Sequence, residues 1–231
     1  MPVQQFGALL SSLPKLRKHL IVVNIISLAL AVLSFYLWDQ PVALYFGRPD
    51  LRWFYFVNRT LTDLGLSEYY FAAAILTWAI SLYVAPRFHN FHQRHSAKID
   101  YARRWGLNFL LAQIFAGLIV LVLKFSVGRQ RPHITPDFNP TVFAPFNAHW
   151  DFQSFPSGHS QVMFTAATMM SIAFPRASWL WVLCALIICF TRVVCHDHFV
   201  SDTIFGAAIG YTGALLALYY IKKKKTANSL Y

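Results

Sequence analysis

Six apolar runs, separated by polar and charged stretches, set the rhythm of this sequence: about Leu20 to Leu37, Tyr69 to Ala85, Gly106 to Leu123, His159 to Phe174, Trp179 to Val194 and Ser201 to Ile221. Most are long enough to cross a hydrocarbon core of roughly 30 Å as helices; the fourth is short for that span. The pattern predicts an all-α, polytopic membrane protein, a six-transmembrane-helix bundle with both termini on one side. Nothing between the runs looks like a linker, so residues 1–231 read as a single domain. Lys15, Arg17 and Lys18 precede the first run as they would in a signal peptide. The run is long, however, and no small-residue cleavage site follows it, so a retained helix is expected.

Composition supports the membrane reading: 57% of residues are hydrophobic and 13% charged, against roughly 25% charged in soluble proteins. The net charge of +11 raises nucleic acid as a partner, but the basic residues lie between and beyond the apolar runs, which argues against it. Their distribution gives an orientation instead. Lys15, Arg17, Lys18, Arg87, Arg94, Lys98, Arg103, Arg104, Arg176 and Lys222 to Lys225 share one side, with Asp100 alone of the nine acids. That side is the cytoplasmic one by the positive-inside rule. Both termini are then cytoplasmic, and the remaining polar stretches face the exterior.

Several other features have ordinary explanations. Cys184, Cys189 and Cys195 lie in or beside one apolar run and suggest small core residues instead of a disulfide framework. His89, His92 and His95 are evenly spaced, yet three-residue steps drift around a helix and no carboxylate or Cys accompanies them, so a solvated basic loop is expected. Gly206 and Gly210 fit close packing within the bundle at least as well as a dimer contact. The loop Trp38 to Glu68 mixes aromatic residues with Arg48, Arg52 and Arg59, as either an interfacial segment or an anchoring aromatic belt would.

Three stretches on the outer side carry chemistry. In Arg192-Val-Val-Cys-His-Asp-His198-Phe-Val-Ser-Asp202, His198 and Asp202 stand one helical turn apart. An Asp bonded to one imidazole nitrogen fixes the tautomer and frees the other for attack. The forked cation of Arg192 suits an oxyanion. A helix cap with a surface charge pair is the plainer reading of this stretch alone. Upstream, Lys124-Phe-Ser-Val-Gly-Arg129-Gln-Arg131-Pro132 offers three cations for a dianionic phosphate. Arg129, in its middle, either contacts substrate or faces water. In Phe155-Pro156-Ser157-Gly158-His159, a helix N-terminus presents free N–H groups to an anion, Gly158 permits close approach, and His159 adds a proton donor; an N-cap with an incidental His is the alternative.

Together, Lys124-x6-Arg131-Pro132, Pro156-Ser157-Gly158-His159 and Arg192-x5-His198-x3-Asp202 resemble the three-part signature of the type 2 phosphatidic acid phosphatase (PAP2) superfamily in order and spacing. Thr191 stands where many members have Ser, keeping the hydroxyl. The extra His196 and Asp197 are not demanded by the signature. The resemblance implies six helices and assigns roles. His198 is the nucleophile that forms a phosphohistidine, Asp202 orients it, and His159 is the general acid. Lys124, Arg131, Arg192, Ser157 and the Gly158 N–H clamp the phosphoryl oxygens. No metal or other cofactor is implied, because phosphoryl transfer rests on positioning and charge stabilisation.

The expected substrate is a membrane lipid whose phosphate reaches the outer, periplasmic face of a cytoplasmic membrane. Aromatic residues between His133 and Phe155 are placed to rest on its acyl chains. Bacterial relatives of this type act on phosphatidic acid, phosphatidylglycerophosphate, polyprenyl pyrophosphates such as undecaprenyl pyrophosphate, and lipid A phosphates; the sequence does not choose among them. Three rivals stand beside this reading: a phosphotransferase with the same site, a soluble vanadate-dependent haloperoxidase (opposed by the six apolar runs), and a transporter or scaffold that only binds phospholipid.

Overall fold

The computed structural model describes residues 12–84 and 87–228. Helices stand at all six expected places: α1 (Leu13–Leu37), α4 (Ser67–Ala79), α5 (His89–Val127), α6 (Gly158–Ala173), α7 (Ser178–Val194) and α8 (Val200–Asn228). Two further helices, α2 (Asp39–Phe46) and α3 (Arg52–Thr62), occupy the stretch read as an outer loop. Among the described residues the only β pairing is an isolated bridge between Arg129 and Phe143.

Four segments, Leu13–Leu37, Gln93–Val127, Pro175–Val194 and Val200–Ile221, are long and apolar enough to cross a membrane. At 1.5 Å per residue, α4 and α6 are about 20 and 24 Å long, short of the core thickness. The protein is an integral membrane protein, and among the described residues four helices meet the length and composition that a crossing needs, against the six expected. Large apolar side chains of α1, among them Ile21, Val22, Ile25, Ile26 and Leu28, are exposed, an arrangement suited to lipid.

Two boundaries depart from the hydropathy reading. Helix α5 begins at His89, well before Gly106. The intervening residues are polar but include good helix formers and no Pro or Gly, and Asp100 pairs with Arg103 one turn on. Hydropathy marks only the lipid-facing part of such a helix. The second run ends as a π-helical turn, Ile80–Val84. His89 and His92 of the histidine triplet have side chains outside the described residues.

Helix α6 is the centre of the bundle, buried over most of its length between α5, α7 and α8. Its partners approach it through small residues. A Cβ on Gly206 would lie 2.4 Å from the Ser157 carbonyl oxygen, and one on Gly210 would lie 2.3 Å from that of Gln161. These two glycines therefore serve internal packing of α8 on α6. Across the bundle, a Cβ on Gly213 would meet Ala116 at 2.6 Å. Gly128 ends α5 in the left-handed region at φ +59°, where a Cβ would strike the Ala144 backbone, so the chain turns there into the long outer loop.

Gly210→Ala should force α8 off α6 and lower stability by about 1–3 kcal/mol. Thermal melting of the detergent-purified protein reads this as a lower midpoint than wild type.

Candidate active site

The C-terminal ends of α5 and α7 and the N-terminal ends of α6 and α8 meet at one end of the bundle. Lys124 sits in the last turn of α5, His159 in the first turn of α6, Arg192 in the last turn of α7 and Asp202 in the first turn of α8. Chain reversal alone brings these distant stretches together. A cavity of about 510 Å³ opens among them. Lys124, Arg131, Gly158, His159, Arg192 and His198 line its polar end, with Phe71, Ile114, Leu118, Leu121 and Val162 on its apolar walls.

His198 is nearly fully buried, and its Nδ1 lies 2.6 Å from the Ser154 carbonyl oxygen. A carbonyl only accepts, so Nδ1 carries the proton and Nε2 keeps its lone pair. Nε2 has no hydrogen-bond partner among the described residues. Burial pushes this imidazole well below its ordinary range, reinforced by Arg131, Lys124 and Arg192 and opposed by Asp202. His198 is therefore neutral at neutral pH, the state that attack requires.

Asp202 does not hydrogen-bond His198 as the spacing suggests. Its Oδ2 is 3.7 Å from Nδ1, too long for a hydrogen bond. That oxygen accepts instead from the Ser154 hydroxyl at 2.6 Å and from the Phe199 N–H at 2.8 Å. Asp202 thus fixes Ser154 and the first turn of α8, and the Ser154 carbonyl fixes His198. Its other oxygen receives Arg129 at 2.5 Å.

Arg129 does not line this cavity and is not a solvated charge. It is 1% exposed, lies over the Phe199 ring and joins two carboxylates, Asp202 and Asp39, the latter at 2.8 Å. Its Nε donates to the Pro140 carbonyl. Asp39, from the first turn of α2, also accepts from Ser34 and from the Ser201 backbone and hydroxyl. Burial pushes the Asp39 carboxyl upward, and the Arg129 charge opposes the rise.

The remaining cations are held by backbone carbonyls and by one shared acid. Lys124 donates to the Gln153 carbonyl. Arg131 donates to the carbonyls of Trp150 and Asp197 at 3.1 and 3.0 Å and stacks on the Trp150 ring. Burial pushes Arg131 down to about 10, so it stays a cation. Arg192 pairs with Asp197 at 2.8 Å and donates to Thr62, while its buried Nε has no hydrogen-bond partner among the described residues. Asp197 also pairs with Arg59 of α3, and Thr191 bonds Thr62. His196 lies apart from this chemistry. Its Nε2 meets the Ala43 carbonyl, its ring stacks on Phe138, and its backbone is left-handed at φ +54°.

Ser157 caps α6, its hydroxyl accepting from the Ser160 N–H and hydroxyl. It is fully buried and does not line the cavity. Gly158 does line it, and a Cβ there would stand 3.9 Å from Lys124 Cε. His159 reaches the cavity with no hydrogen bond among the described residues, beside Gly65, where a Cβ would approach its ring to 2.9 Å.

The structure therefore gathers Lys124, Arg131, Gly158, His159, Arg192 and His198 around one space. It puts Asp202 and Ser157 behind them. Sequence reasoning missed Asp39, Ser154, Thr62 and Arg59. Only Asp39, an acid at the edge of an apolar run, carries a visible signal.

Residues 105–226 match the PAP2 superfamily. Over 123 residues the chain is 36% identical to a lipid A 1-phosphatase of Rhizobium johnstonii, covering 53% of this chain and 50% of the relative. It is 34% identical over 130 residues to a lipid A 1-phosphatase of Rhizobium etli, covering 56% of each. The chain thus spans about half the length of the curated relatives it matches. Among solved structures, a PAP2-type phosphatidylglycerolphosphate phosphatase from Bacillus subtilis superposes with a TM-score of 0.59 at 21% identity, covering 88% of this chain and 96% of that one. Aquifex aeolicus LpxE gives 0.52 at 22% identity, over 75% and 88%. At these identities the structures establish likeness of fold.

Replacing Arg129 by Gln leaves Asp39 and Asp202 buried without their cation, which should destabilise the protein by about 3–5 kcal/mol. Asp39→Asn in the same protein should restore part of the lost melting temperature.

Proposed function

Because the chain belongs to the PAP2 superfamily, we propose that it is a lipid phosphatase that cleaves a phosphate ester or pyrophosphate of a membrane lipid through a phosphohistidine. The observation that carries this reading is the neutral His198 with a free Nε2 in a cavity ringed by Lys124, Arg131 and Arg192. A cluster of cations around a base invites an anion, and the unpaired Nε of Arg192 is a further donor.

In the first step Nε2 of His198 attacks phosphorus in line, and the bond from phosphorus to the lipid oxygen breaks. His159 gives its proton to the departing oxygen. The bound dianion balances the surrounding cations, which favours the protonated imidazole needed for this. In the second step His159 takes a proton from water, the water oxygen bonds to phosphorus, the N–P bond breaks, and phosphate leaves. Lys124, Arg131, Arg192 and the Gly158 N–H carry the charge that develops on the equatorial oxygens. Asp202 acts through Ser154, and Ser157 acts by capping the helix that presents Gly158. No metal enters the scheme.

Lipid A 1-phosphate is the favoured substrate among the bacterial lipid phosphates, since two relatives carry that activity in their names. The cavity lies at the end of the bundle away from Lys15, Arg17 and Lys18 of α1. The positive-inside rule then faces it outward from a cytoplasmic membrane with both termini inside. The exposed Phe146 and Trp150 of the outer loop and Trp53 and Phe56 of α3 suit the surrounding interface.

Phosphate release by detergent-purified protein in EDTA tests the reading, on a panel of lipid A 1-phosphate, phosphatidic acid, phosphatidylglycerophosphate and a polyprenyl pyrophosphate. Release should survive the chelator and vanish in His198→Ala, and Arg131→Ala should lower it about 10²–10³-fold. Equal release by wild type and His198→Ala contradicts the nucleophile. Phosphate appearing on an acceptor lipid instead of in water favours the transferase.

A further inference from the structure

One turn below the phosphate end of the cavity lies a chain of buried polar groups that the phosphatase scheme does not use. Gln113 and Gln161 are each 2% exposed and both line the cavity. Thr165 donates to the Gly210 carbonyl at 3.1 Å, so its oxygen is left to accept from Gln161 Nε2 at 3.1 Å. Gln113 Nε2 donates to the Val162 carbonyl at 3.1 Å, so its Oε1 accepts the other proton of Gln161 Nε2 at 3.1 Å. The carbonyls at the two ends can only accept, and this fixes the direction of every bond between them. Both N–H groups of Gln161 are thereby consumed. Its Oε1 is the acceptor left over, with no donor among the described residues.

That oxygen faces Gly117, where a Cβ would meet Gln161 Oε1 at 3.8 Å and nothing else within reach. Gly117 lines the cavity too, so the space beside the oxygen is open to a ligand. An acceptor in apolar surroundings is costly until a donor reaches it. Gly158 and Gln161 are three residues apart on α6, about 4.5 Å along the helix axis, which sets Gln161 roughly one turn deeper than the Gly158 end of the cavity.

We propose that Gln161 is a specificity-determining residue: its Oε1 accepts a hydrogen bond from a hydroxyl or amide N–H that the substrate carries within a few bonds of its phosphate-bearing carbon. This deepens the phosphatase reading and rests on it for the position of the phosphate. The chemistry it selects is that of a phosphate lipid with a neighbouring amide or hydroxyl, a class that takes in N-acylated sugar phosphates and also phosphatidylglycerophosphate, whose glycerol carries a hydroxyl next to its phosphate-bearing carbon. A diacylglycerol phosphate offers only ester acceptors at that depth, and a polyprenyl phosphate offers no polar group.

Two synthetic sugar 1-phosphate lipids of equal chain length test this, one with its neighbouring acyl group amide-linked and the other ester-linked. Wild type should show about tenfold higher kcat/KM for the amide, the scale of one neutral hydrogen bond. Gln161→Met should abolish that preference by lowering the rate on the amide about tenfold more than the rate on the ester. Gln113→Met/Gln161→Met should do the same without leaving the Gln113 oxygen unpaired. Equal preference in wild type, or an equal fall on both lipids in the variants, overturns the proposal. Equilibrium binding of the same lipids separates the two readings. A wild type that binds the amide about tenfold tighter, with the preference lost in Gln161→Met, yet releases no phosphate defeats the phosphatase reading alone. Indifferent binding defeats this one.

Discussion

A guanidinium held between two carboxylates, out of water and beside the membrane, is the interaction on which this site depends. Arg129 joins Asp202 at the head of α8 to Asp39 at the head of α2. Taking three charges out of water is costly, and such a cluster is tolerable only when every lone pair and proton is engaged. Here Ser34, Ser154, Ser201, the Phe199 and Ser201 N–H groups and the Pro140 carbonyl complete it. Because its members come from four separate parts of the chain, the cluster also fixes how those parts meet. Ser154 is the member that touches His198, so the orientation of the imidazole follows from the integrity of the whole.

The cations divide by how their charge is answered. Arg129 is neutralised by two acids and has a structural role. Arg192 shares Asp197 with Arg59. Lys124 and Arg131 hydrogen-bond only to carbonyls among the described residues, with the Trp150 ring also beneath Arg131, and neither a carbonyl nor a ring cancels a cation's charge. The result is net positive charge facing a cavity whose deeper walls are apolar apart from Gln113 and Gln161. A lipid phosphate has the complementary form, a charged head on an apolar body. Fixed donors of this kind need no rearrangement at the moment of reaction, which is what electrostatic catalysis requires.

Much of this was legible in the sequence, for identifiable reasons. Apolar runs bordered by charge marked the helices, since hydropathy reports directly on lipid exposure. It failed at the polar N-terminal part of α5, where nothing is apolar yet nothing breaks a helix. It also failed at α2 and α3, whose aromatic and basic residues read equally well as loop. The six residues that line the polar end of the cavity were identifiable because they occupy motif positions with fixed spacing. Asp202 and Ser157 lie behind these six and not on the cavity wall, which spacing could not show, because it says that two side chains share a face and not which atom each one meets. Ser154 acts through its main-chain carbonyl, an oxygen every residue has, so its identity carries little signal. Arg129 was ambiguous because its partner Asp39 lies 90 positions away, and a single sequence does not show which distant acid a cation meets.

Covalent attack by His198 is the central step of the proposed reaction, and rapid-quench labelling with a ³²P-labelled lipid phosphate examines it directly. Label should enter the protein before phosphate is released, be stable to alkali and labile to acid, and map to the peptide containing His198. Phosphate released with no protein-bound label at any time point, or label recovered on another residue, would contradict it.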